Sequence, residues 1–495
     1  MGNCDNQIRD SIVPTADSNY VDRNGILTIH RSGFDLNRTI GYTNRNWMAN
    51  IPNSRRISQL SIPGTHGSMA LHGGPGGPIA ATWAINQTMN LETQLNSGIR
   101  FIDIRCRHEH NNFAMYHGIV FQYAYFGSHV LEPVIRFLRQ NPSETILMYI
   151  QEEHTPTGNT RTFAETFESF FRPNQDFFWN PNSLNPTLEE VRGKIILLQA
   201  FPSNRGWFGM NWGSLDRQDR WEVDGPNDIY NKWIAVRNQF SRAMNDRNRI
   251  HVNFLSGTGN GRISGPSPWA LASGYNNRNN NSLLWIASTR PAAGWPDFPR
   301  NHPTAGPVFF GGTNVLAARR ILDRRFTHTG IVVADFPGRG LIEGTIALNF
   351  PIYQPQLHGH FQIVTALNNS SIVDLNVGPN NVTLWSNNRV PNQIWNFTYD
   401  QSENAHVIRS VSNPNLVLAW NVPTPDQNVF ATPLVPGRAE HYWIVEQFLD
   451  GYIFKNKRDT NMVLDVAGGR TNNGTNLIVY RRKNTNNQIF FVRRP

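Results

Sequence analysis

Residues 99–105 read IRFIDIR, an apolar β-rich run that carries Asp103 and Arg105. Side chains on a strand alternate, so these two charges share one face. Similar runs recur on both sides: NFAMYH (112–117), TILMYIQ (145–151), KIILLQAF (194–201), HVNFLS (251–256) and GIVVADF (330–336). Helical patterns lie between several of them. NLETQLNSG (90–98) ends in Gly98, which suits a helix C-terminus, and VLEPVIRFLRQN (130–141) stops at Asn141-Pro142. NSLLWIAS (281–288) is grouped with these helical segments, although its pattern is less regular. Strand–helix alternation from residue 46 to 350 predicts an α/β barrel or a doubly wound sheet. No G-x-G-x-x-G follows a strand and no G-x-x-x-x-G-K-[ST] occurs, which argues against nucleotide binding.

Polar groups gather at the ends of the β runs. His66 follows QLSIPGT, His117 ends NFAMYH, Glu153 follows TILMYIQ and Asp335 lies at the end of GIVVAD. In a β/α barrel the C-terminal strand ends converge on the rim where chemistry is done. That convergence favours the barrel over the open sheet.

Beyond residue 355 the helical period disappears. Short β runs alternate with Asn, Gly and Pro, and three units repeat: NQIWNF (392–397), EHYWIV (440–445) and NQIFFV (487–492). Their anchors Trp395, Trp443 and Phe490 are 48 and 47 residues apart; earlier markers at Asp374, Ala419 and Asp465 are 45 and 46 apart. Two markers in phase over three units predict a threefold all-β module. Residues 1–45, polar with pieces such as ILTIH (26–30), read as an N-terminal extension. The expected domains are therefore 1–45, a barrel at 46–350 and a β-trefoil at 355–495, with the boundary near PIYQPQ (351–356).

Composition narrows the functions. The 495 residues hold 14 Trp and 29 Phe, which need cores or binding surfaces and exclude a disordered chain. Two cysteines, Cys4 and Cys106, make neither a disulfide framework nor a zinc site. No apolar run reaches the ~18 residues of a membrane span. No signal peptide is visible in MGNCDNQIRD, and Asn6 stands where a myristoylation signal wants Ser or Thr. The net charge of +9 favours anionic partners, but no basic block or helix points to nucleic acid.

The stretch 46–340 resembles the bacterial phosphatidylinositol-specific phospholipase C family. SIPGTHGSM (61–69), IRFIDIRCR (99–107), MYHG (115–118), NPSETILMYIQEE (141–153), GKIILL (193–198), DIYNKW (228–233), VNFLS (252–256) and IVVADF (331–336) occur in the family's order. The resemblance implies a distorted TIM-type barrel that cleaves phosphatidylinositol to diacylglycerol and a cyclic inositol phosphate. It implies that His66 is the general base and His117 the acid, that Asp335 orients the base and that Arg105 stabilises charge on the phosphate. Asp103 is expected to hold Arg105 or tune the acid. In metal-dependent relatives a calcium ion takes the place of this arginine, so Arg105 implies an enzyme with no metal and no cofactor. Glu153, Asp228 and Tyr230 match positions of the inositol pocket, and Trp212 is a further candidate. Gln151 stands where the family often has Lys and Ala200 where it has Arg. Gly67 replaces the Asp that normally follows GTH and assists the acid. A glycosylated inositol lipid or another phosphodiester is therefore an alternative substrate.

The repeats at 355–495 resemble a ricin-type β-trefoil lectin, whose Q-x-W element closes each lobe. The first lobe offers Asp374, Trp385, Asn392 and Gln393 for a sugar, and the third offers Asp465, Tyr480, Asn487 and Gln488. Ala419 at the acidic position leaves the middle lobe without a site. Trp83 and the aromatic loop WFGMNW (207–212) are candidates for contact with a bilayer interface. The expected protein is an extracellular or released peripheral membrane phospholipase held on glycosylated surfaces, as a secreted toxin would be. The alternative is a glycan-binding adhesin or toxin with a weak or inactive barrel.

Overall fold

The computed structural model describes residues 33–74, 83–204, 206–225, 228–259, 265–274, 285–287, 308–310, 312–322, 326–350, 357–422, 427–448 and 451–495. ILTIH, PIYQPQ, Cys4 and most of NSLLWIAS and GGPGGP (73–78) lie outside them. The chain divides into two compact units, which part between residues 350 and 351.

The first unit is built on parallel strands. They are β1 (Ile62–Thr65), β2 (Phe101–Glu109), β5 (Ile146–Glu152), β6 (Ile195–Gln199), β7 (Met210–Asn211), β8 (Asp216–Gln218), β9 (His251–Phe254) and β12 (Ile331–Ala334). Neighbours follow the order β7-β6-β5-β2-β1-β12-β9-β8. This is sequence order taken around a circle, the connectivity of a β/α barrel. No pairing joins β7 to β8 among the described residues, so the barrel is incomplete. Segments such as ILMYI and IILL are buried along their whole length, as a parallel strand covered on both faces requires. Helices Leu91–Ser97, Glu132–Gln140 and Ile229–Asn245 lie between the strands. The first ends at Gly98, and Asn141 follows the second.

Two readings need correction. NFAMYH is not a barrel strand: it forms β3 (Asn112–His117), which runs antiparallel to β2 and hairpins into β4 (Val120–Tyr125). The part of NSLLWIAS that is described is not helical either. Trp285–Ala287 form β10, antiparallel to β11 (Val308–Phe310), as apolar residues of high strand preference allow.

The barrel interior is tight around β1. A side chain at Gly64 would put its Cβ 2.8 Å from the Phe101 Cβ across the β1–β2 pairing, so only glycine fits. Phe101 packs inward on Phe254 and Trp212. That fixes Asp103 and Arg105, two and four residues on, on the same inward face.

The second unit repeats four strands three times. They are β13–β16 (Gly359–Thr365, Ile372–Asn376, Asn381–Trp385, Trp395–Asp400), β17–β20 (Ala405–Ser410, Leu416–Trp420, Val429–Pro433, Trp443–Phe448) and β21–β24 (Gly451–Asn456, Asp459–Val466, Thr475–Arg481, Phe490–Arg493). The first and fourth strands of each unit close a six-stranded ring, β13-β16-β17-β20-β21-β24. The middle strands form three hairpins. Asn381, Asn428 and Asn476 join these hairpins in a closed ring of side-chain hydrogen bonds. This is a β-trefoil. Its core holds the three repeat anchors Trp395, Trp443 and Phe490, all fully buried.

Candidate active site

Strand register assembles the barrel's polar cluster. Thr65 pairs with Ala334, so the next residues, His66 and Asp335, stand level at the rim. His66 Nδ1 lies 2.7 Å from Asp335 Oδ1. A carboxylate only accepts, so Nδ1–H donates and, in the neutral ring, Nε2 carries the lone pair. Asp103 is fully buried on β2 and accepts from Arg105 Nε at 3.2 Å and from the Gly67 N–H at 3.0 Å. Its second interaction with Arg105 is at 3.2 Å, and His66 Nε2 is 3.9 Å away. Burial pushes the Asp103 carboxyl up, but Arg105 and His66 outweigh it and hold the group below the usual carboxylate range. The guanidinium of Arg105 is likewise opposed by burial and raised on balance by Asp103 and Glu153.

His117 arrives from the other direction. β2 overshoots to Glu109, and β3 returns antiparallel along it, from the Asn112–Glu109 pair to Met115 opposite Cys106. Two residues later His117 stands beside the His66 ring, with centroids 6.1 Å apart and planes at 86°. Its Nδ1 donates to the Ala84 carbonyl at 3.2 Å, which leaves Nε2 free. Burial, then Arg105 and His66, push its pKa down; Glu153 and Asp335 oppose them.

Glu153 joins this cluster. One oxygen accepts the Gly118 N–H at 2.8 Å, and the other lies 3.7 Å from Arg105 and accepts from Gln151 at 2.9 Å. Gln151 also accepts from the Tyr149 hydroxyl. Trp212 stacks on Tyr149 at 4.2 Å, inside the barrel mouth, whereas Trp207 is exposed. Trp83 is half-buried. Asp228 and Tyr230 lie at the start of helix Ile229–Asn245, after β8. Asp228 is held there by Arg220 at 2.8 Å and by Asn231.

Three features had no role in the sequence reading. The segment Ala84–Gln87 straps the site: Ala84 holds His117, Gln87 Nε2 donates to the carbonyls of His66 and Ala334, and the Asn86 carbonyl accepts from Phe336 N. Tyr149 lies beside Asp103 in the β2–β5 register, which alternation along TILMYIQ foretells. Lys232, fully buried, donates to the Phe254 carbonyl at 2.7 Å and has its pKa lowered to about 7 by burial, against the pull of Asp219 and Asp335.

In the trefoil, the first and third lobes are built alike. Asp374 accepts from Asn392 at 3.0 Å; Asp465 accepts from Asn487 at 2.9 Å and from Gln488 at 2.7 Å. Gln393 and Gln488 each pin a backbone amide and a carbonyl of the preceding loop. Trp385 and Tyr480 occupy matching register positions, opposite Ile372 and Val463, and are 38% and 39% exposed. The middle lobe has Ala419 and, at the aromatic position opposite Val417, Thr432. His441 takes the glutamine's place and accepts from Val435 N. Burial raises the pKa of Asp374, and raises that of Asp465 to about 6.

Among the described residues no three His, Cys, Asp or Glu side chains gather as a metal site, and no helix is long and apolar enough to cross a membrane.

Residues 80–200 match the family described as phosphatidylinositol-specific phospholipase C, X domain, and residues 391–480 match the ricin-type beta-trefoil lectin domain-like family. The chain is 32% identical over 227 residues to a 1-phosphatidylinositol phosphodiesterase of Listeria monocytogenes, covering 44% of this chain and 69% of that one. It is 31% identical over 240 residues to the enzyme of that name from Staphylococcus aureus, covering 43% and 74%. A solved structure of phosphatidylinositol-specific phospholipase C from Listeria monocytogenes superposes over 62% of this chain and all of its own, with 23% identity and a TM-score of 0.44.

Proposed function

The chain belongs to the phosphatidylinositol-specific phospholipase C family, and on that premise we propose that it cleaves phosphatidylinositol, or a glycosylated inositol lipid, by two-histidine acid–base chemistry. One observation carries the reading: His66, backed by Asp335, faces His117 across 6.1 Å beside the Arg105 guanidinium. A phosphodiester fits that span. His66 Nε2 takes the proton of the inositol 2-hydroxyl, whose oxygen attacks the neighbouring phosphorus. The new P–O bond closes a cyclic phosphodiester as the bond to glycerol breaks. His117, protonated at Nε2, gives its proton to the departing glycerol oxygen and releases diacylglycerol. Asp335 fixes the base and steadies its imidazolium. Arg105 offers a rigid cationic fork to the phosphate oxygens, the place of calcium in metal-dependent relatives, so turnover proceeds without a metal. Asp103 aims Arg105.

Glu153, Gln151, Trp212, Asp228 and Tyr230 are proposed to bind the headgroup. Ile119, two residues beyond His117, is 81% exposed, and Tyr123 and Trp207 are also exposed, which suits approach to a bilayer interface. The trefoil is proposed to hold the enzyme on glycans through Asp374, Trp385, Asn392 and Gln393, and through Asp465, Tyr480, Asn487 and Gln488. Two weak sites on one domain gain avidity on a glycan-coated surface. Such an enzyme would act outside the cell that makes it. The proposed domain limits are 46–350 and 355–495, with 1–45 as an extension.

The test is incubation with phosphatidylinositol vesicles in chelator. Cyclic inositol phosphate that appears, and disappears in His66→Ala, is the expected result. A second reading, a glycan-binding protein with an inert barrel, is favoured by Gly67, which puts no carboxylate directly after His66 to assist the acid. It predicts glycan binding with no product at any pH.

A further inference from the structure

Gly67 follows the base directly and has a φ of +47°. A Cβ there would lie 3.0 Å from Asn86 Oδ1 and 3.3 Å from the Ala70 Cβ, tighter than ordinary contact. Asn86 therefore stands where a residue-67 side chain would project. Its backbone is locked on both sides, with N donating to the Ala70 carbonyl at 2.9 Å and the carbonyl accepting from Phe336 N at 3.0 Å. These two bonds tie the His66 loop to the turn that follows Asp335. Two residues back on the same strap, Ala84 holds His117. Asn86 is fully buried, and among the described residues neither its Oδ1 nor its Nδ2 has a hydrogen-bond partner. A leucine fills a similar volume without leaving two polar atoms unpaired, so filling space does not account for the amide.

We propose that Asn86 is a positioning residue for the acid–base pair, its amide replacing through space the side chain that Gly67 lacks. The proposal rests on the two-histidine reading above. It has a chemical consequence. The acid is oriented by the Ala84 carbonyl, and the side chain that fills the space beside Gly67 is a neutral amide in place of a carboxylate. The charged or titratable groups around His117 are Arg105 and His66, which disfavour its imidazolium, and Glu153 and Asp335, which favour it. The strap Ala84–Gln87 adds no charge. The alkaline limb of turnover, where the acid loses its proton, then lies low in pH.

The experiment compares the natural protein with Asn86→Leu and with the double variant Gly67→Asp/Asn86→Ala, in which a carboxylate takes the vacated space. Turnover of phosphatidylinositol vesicles and the His117 titration, read by imidazole NMR, are both followed. In Asn86→Leu, kcat falls roughly tenfold, part of what a positioned acid supplies, with KM little changed and Tm unchanged or higher. In the double variant turnover recovers, and His117 titrates about one pH unit higher than in Asn86→Leu. The alkaline limb moves with it. Natural kcat and pH profile in Asn86→Leu, or one His117 titration in all three proteins, overturns the proposal. Absence of turnover in the natural protein overturns the phosphodiesterase reading instead, and the His117 titration then decides this proposal by itself.

Discussion

The barrel and the trefoil place polar side chains by opposite means. In the barrel, Asp103, Arg105 and His117 lie on two strands, and His66 and Asp335 directly follow two others, spread over most of the unit. Each occurs once, and its position depends on the register of a neighbouring strand. In the trefoil, Asp374 meets Asn392, and Asp465 meets Asn487 and Gln488, within a single repeat. The unit recurs whole, so one repeat can differ without touching the others. The middle lobe lacks both the carboxylate and the aromatic, with Ala419 and Thr432 at those positions, yet Trp443 Nε1 donates to the Leu418 carbonyl as Trp395 does to Val373. Fold and candidate binding residues are separable in a repeat; in the barrel Asp103 both pairs with Arg105 and holds the Gly67 N–H of the loop that carries His66.

The largest effects are therefore expected in the barrel. His66→Ala should lower phosphatidylinositol turnover by about 10³-fold or more, with glycan binding unchanged. Equal loss of both functions would break the comparison. Arg105→Lys keeps the charge but loses the fork that Asp103 aims, and should cost on the order of 10² in kcat. A Lys variant of natural activity would mean that charge alone suffices. In the trefoil, Asp374→Ala or Asp465→Ala alone should weaken binding to a glycan-coated surface only modestly. The double variant should lose the avidity gain of about 10² or more. Strict additivity of the two would show that the lobes do not act together.

The different construction of the two sites also decides how much of each is legible in the sequence. The trefoil is legible from its period, because two markers recur in phase at Asp374, Ala419 and Asp465 and at the three anchors. The barrel is legible from strand–helix alternation and from polar residues at strand ends. His66 and Asp335 follow from this, since each comes straight after a parallel strand. His117 lies beside them for a different reason, the antiparallel return of a hairpin. Periodicity cannot tell that strand from a barrel strand, because an isolated run such as NFAMYH carries no sign of its partner's direction. The strap Ala84–Gln87 has no signal at all. Its Asn86 and Gln87 lie in an irregular segment, and their role depends on carbonyls of His66 and Ala334, distant in sequence.

The smallest expected effect concerns pH, and it separates binding from stability. Burial lifts Asp465 to about 6, against hydrogen bonds from Gln488 and Asn487. Below that pH the carboxyl is protonated in the folded domain while the unfolded chain stays ionised down to its ordinary value. The folded state then binds the extra proton, so this group's contribution to stability rises as pH falls from above 6 toward 4. Sugar binding should run the other way, because a protonated Asp465 loses an acceptor that a sugar hydroxyl needs. With Asp374→Ala silencing the first lobe, the third-lobe affinity should be roughly tenfold lower at pH 5 than at pH 7, as ionisation linkage requires. Tm should not fall over that range. Parallel loss of affinity and Tm would instead indicate general acid unfolding, and would remove Asp465 as the cause.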